Sequence, residues 1–182
     1  MPNMIASGGT EDNEVACIIL CCDRKSYDMR RRPLNEGETN CRRLGNRKHW
    51  CVRRNIKKLE NDKIQAEPRH YKEDITNPDV LAYLNKTGKS FLSPDIVLPD
   101  SKLAYDAKFP CDEEKLNKKK GKPFPGLFRS TKEAGESRSG EKEDLYGKLP
   151  GVKRCEPMSP DDAQEKNKED GVTCDCSKAT EK

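Results

Sequence analysis

Between Ser93 and Cys111 the chain reads SPDIVLPDSKLAYDAKFPC, two short apolar runs parted by a turn-like Pro99-Asp100-Ser101. The runs are Ile96-Val97-Leu98 and Leu103-Ala104-Tyr105, and Asp106-Ala107-Lys108 continues the second. This spacing predicts paired strands over 95–98 and 102–109. Successive side chains of a strand point to opposite faces, so Asp106 and Lys108 share a face while Ala107 points to the other. In a hairpin, Asp95 sits across from the end of the second strand. Two carboxylates and an ammonium then converge on one point, a cluster able to hold a divalent cation and a water beside a phosphodiester.

The chain has 182 residues, enough for one domain with a core. Apolar residues make up 32% and charged residues 37%, against about 45–50% and about 25% in ordinary domains. That deficit predicts that part of the chain buries nothing. The net charge is only +4, but basic residues crowd one third of the chain: Arg30 to Arg32, Arg42, Arg43, Arg47, Lys48, Arg53, Arg54, Lys57 and Lys58. Such a face attracts a phosphate backbone, although each of these residues could equally lie on a solvated helix surface. No apolar run reaches the ~20 residues of a membrane span. Val15 to Cys22 is too short, and acidic rather than basic residues precede it. Neither a signal peptide, a transmembrane segment nor a membrane partner is expected, so the chain reads as soluble.

Nine cysteines stand at 17, 21, 22, 41, 51, 111, 155, 174 and 176. An odd count at irregular spacing does not read as a disulfide framework, and no pair of C-x-x-C knuckles marks a zinc site. Free thiols are the leading expectation, ahead of disulfides and then zinc.

Residues 1–40 read as a flexible or loosely packed N-terminal segment, with Val15 to Leu20 a short strand or a helical turn. A helix is predicted from about Asn40 to Gln65, where Trp50, Ile56 and Leu59 fall near helical spacing. Pro68 to Pro78 reads as a connector and Val80 to Asn85 as a short apolar segment before a turn at Gly88. After Asp112, residues 115–140 are rich in Lys, Gly, Pro and Ser and read as a long excursion. Glu141 to Leu149 predicts a short helix leading into a strand. Ser159-Pro160-Asp161-Asp162 carries the signals of a helix start. Residues 41–168 form the expected domain, and 169–182 a loose tail.

Pro94-Asp95, ten intervening residues and Asp106-Ala107-Lys108 resemble the PD-(D/E)xK phosphodiesterase superfamily, the restriction-endonuclease-like nucleases. The run Tyr105 to Asp112 is similar to nuclease-type toxin domains of bacterial polymorphic and type VI secreted effectors, close to the VRR-NUC branch. The resemblance covers roughly residues 41 to 165. It implies an α/β (α+β) fold with a restriction-endonuclease-like core, a small mixed sheet flanked by helices and long irregular loops. It implies a Mg²⁺- or Mn²⁺-dependent nuclease, most readily a DNase effector toxin with RNA left open as a substrate. Its partners would be DNA, secretion machinery and a cognate immunity protein, and it would act in the target-cell cytoplasm after specialised secretion.

Within that resemblance Asp95 and Asp106 are the expected metal ligands, with the Ala107 carbonyl a third. Lys108 would orient or deprotonate the attacking water, or neutralise developing charge. The family often adds an acid from the helix before the hairpin, and Glu60 is the candidate, with Asp62 and Glu67 as competitors. Related families also place a Gln, and a Tyr four residues later, on a helix beside the site. Lys142 and Tyr146 occupy that spacing here, with Lys in place of Gln. Arg53, Arg54, Lys57, Lys142 and Tyr146 are the candidate nucleic-acid contacts. His49 and His70 accompany no Ser or Cys nucleophile pattern and are expected to be structural. The alternative is a non-enzymatic basic module that binds nucleic acid or a protein partner on a nuclease-like core.

Overall fold

The computed structural model describes residues 5–28, 33–118 and 136–179. The basic triplet Arg30–Arg32 and most of the expected excursion lie outside these residues. The fold is mixed α/β. Strand β1 (Ala6–Ser7) leads into helix α1 (Glu11–Arg24), then α2 (Asn40–Lys58), β2 (Gln65–Ala66), β3 (His70–Tyr71), α3 (Pro78–Thr87) and β4 (Phe91–Leu92). The hairpin β5 (Ile96–Leu98) and β6 (Leu103–Ala107) follows, then α4 (Glu113–Lys118), α5 (Glu136–Tyr146), β7 (Arg154–Met158), α6 (Pro160–Glu169) and β8 (Thr173–Cys174).

The hairpin forms the centre of a mixed sheet of order β2-β5-β6-β7, antiparallel except for the parallel β6–β7 pair. Ile96 pairs with Tyr105, Val97 with Ala104 and Leu98 with Leu103. Alternation sorts the side chains into two cores. Ile96, Leu98, Leu103, Tyr105 and Ala107 pack with α1, α2 and α6. Val97 and Ala104 face the other way, toward Val80 and Leu84 of α3 and Leu145 and Tyr146 of α5. Asp95 shares the parity of Val97, and Asp106 that of Ala104. The acids therefore belong to the face covered by α3 and α5.

Residues 5–28, part of the segment expected to be loose, are folded into the core. Val15 to Cys22 lie on α1 and are buried at the centre of the larger core. Burying a residue such as Ile18 or Ile19 contributes about 1.5–3 kcal/mol. The eight residues carry apolar side chains on every face, and neighbours cover every face: α2, α6, and β1 with β8. An all-round apolar helix is a buried one. Glu14, also buried, accepts the backbone N–H groups of Ile5 and Ala6, each at 2.6 Å. Its charge thus satisfies donors that would otherwise be stranded.

Helix α2 begins where expected, with Thr39 accepting the Arg42 N–H. It ends at Lys58 rather than near Gln65, because Leu59 caps it and Glu60 adopts a left-handed conformation with φ 48°. In α3, Asn77 caps the first turn, Pro78 takes the first helical position and Gly88 ends the helix at φ 66°. The Pro78-Asp79 pair is therefore a helix start. Ser159 caps α6 and exchanges hydrogen bonds with Asp162.

Eight of the nine cysteines are paired: Cys17–Cys174, Cys21–Cys176, Cys22–Cys51 and Cys41–Cys111, with Cys155 a free thiol. This corrects the expectation of free thiols. The partners are 29 to 157 residues apart in sequence, so pairing follows from how distant segments pack and not from local spacing. Three bridges start on α1, and one joins α2 to the segment before α4. Two bridges tie the C-terminal segment around β8 to α1, and the tail through Ala179 packs on the core. No helix among the described residues is long and apolar enough to cross a membrane.

Candidate active site

Asp95 enters the site from the residue before β5. Its Oδ2 accepts the backbone N–H of Ala107 at 2.8 Å, a contact set by the register, which carried one step further puts Asp95 opposite Asp106. Its own carbonyl accepts the Glu67 N–H at 2.8 Å, holding the strand start against the chain beyond β2. Asp106 and Lys108 share one side of β6, as alternation requires, and their side chains are hydrogen bonded. The Lys108 ammonium also lies 3.1 Å from Glu143 Oε1 of α5. Buried Tyr146 lies one turn further along that helix.

From the opposite side comes His49 of α2. Its Nδ1 is 3.3 Å from Asp95 Oδ2, and its ring stands perpendicular to that of Phe109 at a centroid separation of 5.3 Å. Behind it, Lys48 is fully buried and paired with Asp23 of α1 at 2.6 Å. Its charge is spent inside the protein, and removing one partner of such a pair costs about 3–5 kcal/mol. Arg43 is likewise buried against Glu38. Two members of the sequence's basic cluster thus support the scaffold and do not face a phosphate.

The electrostatics are those of a crowded acid pair. Burial, and then the Asp95 charge beside it, push the Asp106 carboxyl up to about 7, against the opposing pull of Lys108. Burial also acts to raise Asp95, but the hydrogen bond and charge of His49, with help from Asp106 and the Ala107 amide, bring it below the ordinary carboxylate range. His49 is pushed down by burial and up by Asp95, Asp106 and Glu67; the upward pull wins. For Lys108, burial is outweighed by Asp106 and Glu143, so its ammonium is held more firmly than usual. Burial and the same acids lift the Cys155 thiol, on neighbouring β7, to about 12.

Asp95, Asp106, Ala107 and Lys108 are therefore brought together. Glu60 is not among them. It lies exposed in the left-handed turn after α2, and among the described residues nothing joins it to the cluster. The acid that reaches Lys108 is Glu143, one residue beyond the Lys142 singled out by spacing to Tyr146. Lys142 itself is exposed. A three-residue step from Glu143 to Tyr146 keeps both on the buried face of α5, and that parity was the available signal. His49 was expected as a structural histidine, and its contact with Asp95 was not legible because the two lie far apart in sequence. Arg53 is ion-paired with Glu67 at 3.1 Å, Arg54 lies over the Trp50 ring, and Lys57 is exposed.

Among the described residues no group of three or more His, Cys, Asp or Glu side chains is arranged to hold a metal ion. The donors at hand are the two carboxylates. No protein-family model matches the chain, and neither a curated protein nor a solved structure matches it.

Proposed function

We propose that this chain is a divalent-metal-dependent nuclease built on a restriction-endonuclease-like core, with DNA as its substrate. The observation that carries the reading is the placement of Asp95, just before β5, opposite Asp106 of β6, with the Lys108 ammonium hydrogen bonded to Asp106. With two carboxylates forced together at a shielded point, one keeps its charge and the other holds its proton more tightly, as Asp95 and Asp106 do here. A hard divalent cation relieves that repulsion, and Mg²⁺ needs only one or two carboxylates when waters and substrate phosphate complete its shell. The oxygen-only pair thus fits Mg²⁺ or Mn²⁺, held by Asp95 and Asp106 with the Ala107 carbonyl as a further ligand. Bound there, the ion would acidify a water and neutralise phosphoryl charge.

The protein's own groups then have defined work. Hydrolysis joins a water oxygen to phosphorus, breaks one phosphorus–sugar oxygen bond and returns a proton to the leaving oxygen. Lys108, held as the ammonium by Asp106 and Glu143, is suited to orienting the water and balancing the negative charge that grows on the phosphoryl oxygens. It is poorly suited to taking a proton, since its neighbours favour the charged form. Glu143 fixes the direction of the ammonium. His49 keeps Asp95 ionised and oriented, and the Phe109 ring packs against the imidazole.

The sequence resemblance extends the reading to an antibacterial effector, released by a specialised secretion system and neutralised by an immunity protein that presents acids to Lys108. Four disulfides favour folding in, or passage through, an oxidising compartment. Incubation with supercoiled plasmid, with Mg²⁺ and with EDTA, tests the enzyme reading. Relaxed and linear products that need the metal support it, and retarded but uncut plasmid supports the binding module instead.

A further inference from the structure

The chain's single tryptophan stands largely in water. Trp50 lies on α2 and is 56% exposed, although its spacing to Ile56 and Leu59 predicts a core position. The helix buries Leu44, Cys51, Val52 and Ile56 instead, and Trp50 falls on the opposite, basic side. The Arg54 guanidinium lies over its ring, 4.9 Å from the centroid. One and two turns earlier, Asn46, Arg47 and Arg43 join Trp50 and Glu38 in lining a cleft of about 390 Å³. Arg43 is held by Glu38 and by the Pro33 carbonyl, so it forms a rigid wall, while Arg47 brings its charge to the cleft.

The geometry points to Trp50 as a stacking platform for an unpaired base of a nucleic acid, with Arg54 backing the ring and Arg47 beside the incoming strand's phosphates. A flat exposed indole among guanidinium groups matches a polyanion that carries π-faces. An unpaired base is required because bases inside a duplex are already stacked on their neighbours. The position fits as well. His49, the adjacent residue, touches Asp95. Arg53, one turn on, pairs with Glu67, whose N–H is bonded to the Asp95 carbonyl. Trp50 and the residues that reach the acid pair thus share one helix, with His49 about 100° around it from Trp50. This assignment rests on the nucleic-acid substrate proposed above and not on the chemistry of cleavage.

The lone indole is its own reporter. Oligothymidylate added to the protein in EDTA should quench tryptophan fluorescence saturably, and an abasic strand of the same length should not. Duplex DNA should quench less than the single strand. Trp50→Ala should weaken binding of the oligonucleotide, read by anisotropy of a labelled strand, at least about fivefold, and Trp50→Phe should restore most of it. The exposed side chain leaves the core intact when truncated, which circular dichroism checks. Equal quenching by the abasic strand, or wild-type affinity in Trp50→Ala, overturns the platform. The two readings fail separately. A protein that quenches but never cuts plasmid in Mg²⁺ loses the enzyme assignment alone, and one that cuts without base-dependent quenching loses the platform alone.

Discussion

Asp95 and Ala107 are joined side chain to backbone across the hairpin, with Asp95 Oδ2 accepting the Ala107 N–H at 2.8 Å. That bond fixes one carboxylate beside the next residue's neighbour, Asp106, and the cost appears in Asp106. A carboxyl pushed up to about 7 in the folded protein binds its proton more tightly than in the unfolded chain, near 3.8. Its contribution to stability is complete below about 4 and is lost as pH rises to about 7. Asp106→Asn, which removes the titrating charge, should therefore stabilise the metal-free protein at pH 8 by on the order of 2 kcal/mol and flatten that slope. Thermal melts in EDTA from pH 4 to 8 measure this. A variant less stable than the parent at pH 8 contradicts the crowded-pair account.

His49 titrates with the opposite logic. Its folded pKa lies above 6.5, so its share of stability is present below that value and fades as pH rises through the folded pKa. Asp95, depressed, contributes above 3.8 and loses its share as pH falls. The pair is strongest between those limits. An NMR titration of the His49 ring should show the raised value, and Asp95→Asn should bring it down, since burial then acts with less opposition. A His49 that titrates below 6.5 in the parent protein refutes the pair.

Glu143 and Glu60 separate the geometry from the sequence spacing. Glu143 is buried and 3.1 Å from the Lys108 ammonium, whereas Glu60 is exposed. Glu143→Gln should slow plasmid cleavage about a hundredfold, the scale for loss of one oriented electrostatic group. Glu60→Gln and Lys142→Gln should leave the rate unchanged. The reverse ranking would restore Glu60 to the site.

Alkylation in denaturant without reductant should label one thiol, Cys155, and after reduction nine. Replacing Cys41 and Cys111 by Ala should cost about 2–4 kcal/mol, and this bridge begins three residues beyond Lys108. Mass spectrometry of the labelled protein counts the thiols directly, and nine labels before reduction would remove the disulfide scaffold.

The hairpin was legible because its information is local: Pro99 to Lys102 makes the turn, and alternation alone assigns Asp106 and Lys108 to one face. The start of α6 was legible for the same reason, since Ser159, Pro160 and Asp162 act on one turn. Helix α1 was not, because a run apolar on all sides carries no periodicity. Its burial depends on α2, α6 and the C-terminal segment meeting around it. Disulfide partners and the His49–Asp95 contact are likewise products of packing between distant segments. Trp50 misled in the other direction: its spacing fitted the apolar series, but hydrophobicity does not fix which face of a helix turns inward. The Lys142–Tyr146 spacing missed Glu143 by a single position, about 100° around the helix.

Cleavage of supercoiled plasmid in Mg²⁺ by the parent protein and by Asp106→Asn, both shown folded by thermal melts, tests the central claim most directly. The acid-pair account predicts nicking by the parent that EDTA stops and that the Asn variant lacks. A folded Asp106→Asn protein that nicks at the parent's rate, or a parent that leaves plasmid intact in both Mg²⁺ and Mn²⁺, contradicts it.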